Sequence, residues 1–180
     1  MREIIVTVEV SLDGVQDHPE NFAFDYHDEE STAFIGDVFS SADAWLMGRE
    51  TYEGMAAFWP TADFPQAESL NAMTKYVASR TLTEPLAWNN SHLLGTDPVA
   101  RLTELKQEDG GPLVQSGVGE LTRTMLDAGL VDELRVLVYP LVMGEGEAAT
   151  WTQAAGARKF TLAESRTFRN GIVALHLRPA

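Results

Sequence analysis

Three short segments carry the residue types that hold phosphate. Met47-Gly48-Arg49-Glu50-Thr51-Tyr52 stands where an apolar run gives way to a helical pattern. Gly48 lets another group approach the backbone, and a helix start there offers unpaired N–H groups. Arg49 adds a guanidinium fork and Thr51 a hydroxyl donor. Ser79-Arg80-Thr81 sets two hydroxyls around a second guanidinium. That set suits a phosphate monoester, such as the ribose 2′-phosphate that distinguishes NADPH from NADH. Ser116-Gly117-Val118-Gly119-Glu120-Leu121 enters a helix carrying Leu121 and Met125, and its small residues let a pyrophosphate reach the helix start. Only Gly117 and Gly119 fit the G-x-G of a dinucleotide fingerprint, and position 122 is Thr. Each segment also has a plainer reading: an arginine paired with nearby acid, a solvated turn leading to Pro85, a glycine turn that only permits tight packing. At three separate strand ends they point together to a nucleotide binder.

Other chemistries find less support. The four histidines, His18, His27, His92 and His176, are scattered, with no i,i+4 pair beside a glutamate, so no metal site is expected. There is neither a P-loop lysine motif nor a G-x-S-x-G elbow, which disfavours phosphoryl transfer and hydrolysis. The absence of cysteine excludes disulfides, thiolate zinc sites, iron–sulfur clusters and a cysteine nucleophile. With 13 Lys+Arg against 27 Asp+Glu, the net charge of −14 argues against nucleic acid or an anionic membrane as a partner. An anionic ligand must then be held by a few locally placed cations or backbone amides. No apolar run approaches the ~20 residues of a bilayer span; Val136 to Met143 is the longest and contains Pro140. No export signal opens the chain, and a cytoplasmic protein is expected.

The elements that position these segments follow from the apolar runs. At 180 residues and 44% hydrophobic, a single domain over 1–180 with its own core is expected. Ile4-Ile5-Val6-Thr7-Val8 reads as a strand buried on both faces, followed by a break at Ser11-Leu12-Asp13-Gly14. Asp28-Glu29-Glu30 places acid in the first turn of a helix whose Phe34/Val38 and Ile35/Phe39 pairs face inward. Further strands are read at Ala44 to Met47, Thr74 to Ser79, Ser91 to Leu94, Pro112 to Gln115 and Leu134 to Tyr139. A helix capped by Thr96 or Asp97 with Pro98 at its first position carries Val99, Leu102 and Leu105 inward. Asn170-Gly171 between Phe160 to Phe168 and Ile172 to Leu177 is a strong hairpin signal. Strands alternating with helices, then a closing hairpin, predict an α/β domain: a mostly parallel sheet, helices on both faces and an antiparallel edge. Ligands of such sheets lie beyond the carboxyl ends of the strands, which singles out the loops 10–20, 48–52, 79–81 and 115–120.

These segments together resemble the dihydrofolate reductase-like family, in the branch of the C-terminal reductase domain of bifunctional riboflavin-biosynthesis proteins. The resemblance rests on Ser11-Leu12-Asp13-Gly14, Met47 to Glu53, Val77-Ala78-Ser79-Arg80-Thr81-Leu82 and Gly117 to Leu121, then on Gly129-Leu130-Val131-Asp132-Glu133-Leu134 and Tyr139 to Gly146. They occur in the family's order and extend from about residue 4 to about residue 178. The resemblance implies a three-layer fold and NADPH as hydride donor. Gly48, Arg49 and Thr51 would face its phosphates, and Ser79, Arg80 and Thr81 its adenosine end. Gly117, Val118, Gly119, Glu120 and Leu121 would border the pyrophosphate and nicotinamide ribose, with the backbone around Val8 near the nicotinamide. The chain also departs from the pattern. Thr32 stands near where dihydrofolate reductases place a carboxylate, and Val118 stands where the riboflavin branch often has serine. Gly146-Glu147-Ala148-Ala149-Thr150-Trp151 replaces a more usual basic ending.

Hydride transfer asks for two stacked rings, excluded water and sometimes one proton donor. Asp13, beside Gly14, is the acid candidate for that proton; the alternative is an Asp-Gly turn residue. Trp59 and Tyr139 are candidate substrate-lining aromatics, Trp59 having the alternative of a hydrophobic plug. The expected activity is an NADPH-dependent reductase of a small heterocycle, pterin- or aminopyrimidine-like, similar to 5-amino-6-(5-phosphoribosylamino)uracil reductase and dihydrofolate reductase. The alternative is a nucleotide-binding homodimer without efficient catalysis. A homodimer is expected in either case.

Overall fold

β1 (Ile4–Val10) forms the buried strand that its β-branched residues demand, and it lies inside an eight-stranded sheet. The computed structural model describes residues 1–144, 146 and 157–180. The remaining elements are α1 (Glu29–Ser40), β2 (Ala44–Gly48), α2 (Arg49–Phe58), α3 (Ala67–Ala72), β3 (Thr74–Ala78), β4 (Ser91–Leu93), α4 (Pro98–Gln107), β5 (Leu113–Ser116), α5 (Glu120–Asp127), β6 (Glu133–Val138), β7 (Phe160–Thr167) and β8 (Val173–Pro179). Their order across the sheet is β4-β3-β2-β5-β1-β6-β8-β7. The first six strands are parallel, while β8 pairs antiparallel with both β6 and β7. The expected hairpin turns at Asn170-Gly171: Phe168 N donates to Ile172 O, and Gly171 takes a φ of 90°.

The alternation within β1 divides the core. Ile4, Val6 and Val8 pack with Leu102 and Leu105 of α4 and with Leu121 and Met125 of α5. Ile5 points to the other face, where Val38 of α1, Tyr52 of α2 and Leu70 of α3 meet Trp45 and Met47. A third cluster, around Phe22, Leu137, Tyr139 and Phe168, fills the space between β6, β8 and the Phe34 and Ile35 side of α1. α3 was not expected from sequence: it has six residues and buries only Ala67 and Leu70, too little for a visible period.

This division determines where a ligand can enter. Successive strands step outward from β2 to β4, and the order then turns back, with β5 inserting between β2 and β1. The helices after β1 and β2 lie on one face and the helix after β5 on the other. Neighbouring strands whose connections leave to opposite faces open a crevice at their carboxyl ends. β1 pairs with β5 only as far as Thr7↔Ser116, yet follows β6 to Val10↔Val138, so the crevice opens beside the last turn of β1.

Candidate functional site

The three phosphate-type turns fall on adjacent strands. β3, β2 and β5 are neighbours and parallel, so the turns beginning at Ser79, Gly48 and Gly117 share one edge of the sheet, with the loop after β1 next in line. A Cβ placed on Gly48 or Gly117 would meet no atom within 4 Å, so both backbones face open space. Gly117 also needs its φ of 77°, a conformation that glycine adopts without strain. Gly48 and Gly119 cap the starts of α2 and α5, and Gly119 N donates to Thr122 Oγ1 in a capping arrangement.

Both rim arginines already hold carboxylates. Arg49 contacts Glu53 at 2.9 Å and Glu50 at 3.2 Å. Arg80 reaches both oxygens of Glu120 at 3.2 and 3.3 Å. Glu120 therefore competes with an incoming phosphate for Arg80, the reverse of a phosphate-binding side chain. Ser79 Oγ accepts from Thr81 N and Leu82 N, at 3.1 and 3.0 Å, and shapes the turn that presents Arg80 and the exposed Thr81. Thr51, on the first turn of α2, is half-buried. Val118 and Leu121 turn their side chains into the core, so neither side chain is offered to a ligand.

Gln16 is a contributor that sequence reading missed. Its side-chain amide donates to Val118 O at 2.7 Å and accepts from Val118 N at 3.1 Å, which clamps the β1 loop onto the β5 loop across the crevice.

The candidates for proton transfer and substrate contact are redistributed. Asp13 is a turn residue. It accepts from Ser11 Oγ (2.6 Å), Met143 N (3.1 Å) and Gly144 N (2.8 Å), tying the loop after β1 to the chain beyond β6. These bonds, the Ser11 hydroxyl first, hold its carboxyl at about 2, so it carries no proton at neutral pH. Trp59 is likewise moved: it ends α2, and its carbonyl accepts from Asn71, just ahead of β3, at 3.0 Å. Since α2 begins at the rim with Gly48, Trp59 lies at the opposite edge and plugs a cluster with Phe58 and Phe64. Tyr139 is fully buried among Phe22 and Tyr26, so its ring walls no open space.

The Tyr139 hydroxyl leads instead to a group absent from the sequence candidates. It lies beside Glu9 on β1, whose ionised form it favours, and His27 Nε2 lies 3.0 Å from it. Glu9 is the one residue of β1 that is partly exposed rather than buried. Burial pushes its carboxyl up to about 7, against a smaller lowering by the Tyr139 bond. Burial also lowers His27, partly offset by Asp28. The sequence signal was present, a lone acid inside a β-branched run, but it read as the end of that run. Asp28 caps α1 through Ser31 N at 2.8 Å, and Asn170 of the hairpin donates to Tyr26 O at 2.6 Å, which fixes the approach of His27. In α1, Thr32 is exposed and Glu30 is held by Arg166 at 2.6 Å, so neither places a carboxylate in the crevice.

The family model for the RibD C-terminal domain matches residues 2–174. The chain belongs to the RibD C-terminal domain family. Among relatives of this RibD-type domain, the uncharacterized protein YyaP of Bacillus subtilis strain 168 is 27% identical over 177 residues, 96% of this chain and 92% of YyaP. A Shewanella sp. PV-4 protein named for riboflavin biosynthesis superposes with a TM-score of 0.78 at 18% identity, over 99% of each chain. Dihydrofolate reductase from Enterococcus faecalis, complexed with NADP(H), superposes with a TM-score of 0.63 at 12% identity, over 98% of this chain and 96% of that one. The RibD-type domain thus has the dihydrofolate reductase-like α/β fold. The segment 147–156 and Glu145, including most of the unusual ending noted from sequence, lie outside the described residues.

Proposed function

We propose that the protein is an NADPH-dependent reductase of a small heterocyclic substrate, pterin- or aminopyrimidine-like, acting by direct hydride transfer. The observation that carries this reading is the line of three turns on β3, β2 and β5, ending at the crevice beside β1. Arg80 and Thr81 would hold the 2′-phosphate end, Arg49, Thr51 and the amides starting α2 and α5 the pyrophosphate, and Gly117 would border the nicotinamide ribose near the β1 backbone around Val8. The two open glycine backbones and the cationic forks at the β3 and β2 turns fit such a dinucleotide. Bound there, NADPH would supply the hydride; the chain's residues orient it, exclude water and hold a proton. The NADP(H) complex of a protein with the same fold supports this choice of cofactor.

Among the described residues no helix is long and apolar enough to cross a membrane. We place the protein in the cytoplasm as a homodimer. β7 is exposed along nearly its whole length, with Leu162 53% exposed, and offers a surface for a second copy. NADPH oxidation, followed at 340 nm with a panel of dihydropterins and aminopyrimidines, tests the function. Turnover on at least one of them is expected, whereas tight NADPH binding with no turnover on any would favour the non-catalytic nucleotide-binding dimer.

A further inference from the structure

Three groups from distant parts of the chain meet where the crevice closes. Glu9 comes from β1, Tyr139 from the residue after β6, and His27 from the segment ahead of α1. Thr7 is the last β1 residue to pair with β5, and Glu9 lies two residues further on the same face of the strand. Its carboxyl therefore sits just past the point where β1 and β5 separate, on the side of the sheet that carries α1. The other β1 residues are buried, whereas Glu9 is partly exposed there.

We propose that Glu9 is the proton donor of the reduction, its carboxyl oriented by a hydrogen-bonded chain through the Tyr139 hydroxyl to His27. The proposal rests on the reductase reading above. When a neutral C=N bond is reduced, the carbon receives a hydride with its electron pair, and the nitrogen must receive a proton. Glu9 gives that proton: its O–H bond breaks, an N–H bond forms, and a carboxylate remains. That carboxylate accepts the Tyr139 O–H bond, while His27 Nε2–H donates to the phenol oxygen. With Glu9 protonated the Tyr139 O–H goes to the other carboxyl oxygen, the Glu9 O–H is free for the substrate nitrogen, and His27 keeps its Nε2 proton before and after the step. Tyr139 and His27 are positioning residues, and solvent restores the proton.

The surroundings favour a proton on Glu9 rather than a counter-charge. Asp28 beside His27 is committed to the α1 cap, Glu30 to Arg166 of β7, and Asp13 to the Met143 and Gly144 amides. Among the described residues no cation pairs with the Glu9 carboxyl, whose surroundings act on it through burial and Tyr139. Burial keeps its proton in place near neutral pH, within the range where a general acid works well.

The test uses two acceptors and one titration. A neutral 7,8-dihydropterin needs a proton as well as a hydride; a permanently charged N-alkylated iminium needs only the hydride. Glu9→Gln should slow the dihydropterin at least roughly 100-fold while leaving the iminium within about threefold. Glu9→Asp should restore part of the lost rate. In wild type, dihydropterin turnover should fall as pH rises through 7, and Tyr139→Phe, which removes a bond that favours the ionised form, should move that fall upward. Carboxyl ¹³C NMR without ligand should show Glu9 titrating near 7. Equal loss with both acceptors, or a Glu9 titration in the ordinary carboxylate range, overturns the donor role while the reductase reading stands. Failure of wild type to reduce either acceptor removes both, whatever the NMR shows.

Discussion

Replacing Glu9 by Gln should favour the folded protein more at alkaline pH than in mild acid. The folded state holds the Glu9 proton up to about 7, whereas the unfolded chain releases it at the ordinary value of 4.5. Between those values the native state binds more protons, so stability falls as pH rises. The Glu9 contribution is whole below 4.5 and gone above about 7. At 1.36 kcal/mol per pH unit, that interval amounts to about 3 kcal/mol. Glutamine keeps the size and a hydrogen-bonding group for Tyr139 without the titration. Urea unfolding of both proteins from pH 5 to pH 8.5 measures the effect. The lead of the variant should grow by about 2–3 kcal/mol between pH 5 and pH 8.5. Other carboxylates shift both curves together, and the difference isolates Glu9. Parallel curves across the whole range would refute the buried-carboxyl argument.

Arg80→Ala should lower NADPH affinity roughly 10- to 100-fold with little change for NADH, as expected for loss of one charge-assisted phosphate contact. Glu120→Gln, which releases Arg80 from an exposed ion pair, should raise NADPH affinity by no more than about fivefold; calorimetric titration of both cofactors checks both variants. Asp13→Asn should leave the pH profile of turnover in place but speed hydrogen exchange at the Met143 and Gly144 amides, since Asp13 ties loops rather than moves protons. Trp59→Phe should leave kcat/KM within about twofold, because its ring lies at the far end of α2 from the rim; steady-state kinetics decides it.

Much of this fold was legible because its strands are short apolar runs stopped by glycine or proline. Ala44 to Met47 and Pro112 to Gln115 needed no tertiary information to be read as strands. The insertion of β5 between β2 and β1, which creates the crevice, was not legible, since sequence order carries no strand order. The phosphate turns were visible from small residues beside arginines, but the pairing of Arg80 with Glu120 depends on neighbours 40 positions apart. Tyr139 stands out in the sequence for its ring, whereas its contacts with polar groups run through its hydroxyl. Glu9 is hard to read from sequence because one acid in an apolar strand looks like an interruption until its burial and a distant phenol single it out. Asp13 and Trp59 carry residue types common in active sites, yet their partners make one a loop tie and the other a packing residue.

The central claim is that one edge of the sheet cradles a phosphorylated dinucleotide, and amide chemical-shift mapping with NADPH tests it most directly. The account predicts saturable shifts at Gly48, Arg49, Ser79 to Thr81 and Gly117 to Leu121, larger at Arg80 for NADPH than for NADH. Shifts confined to the outer groove between Tyr52 to Ala57 of α2 and Leu82 to Ala87, or no saturable shifts at all, would contradict it.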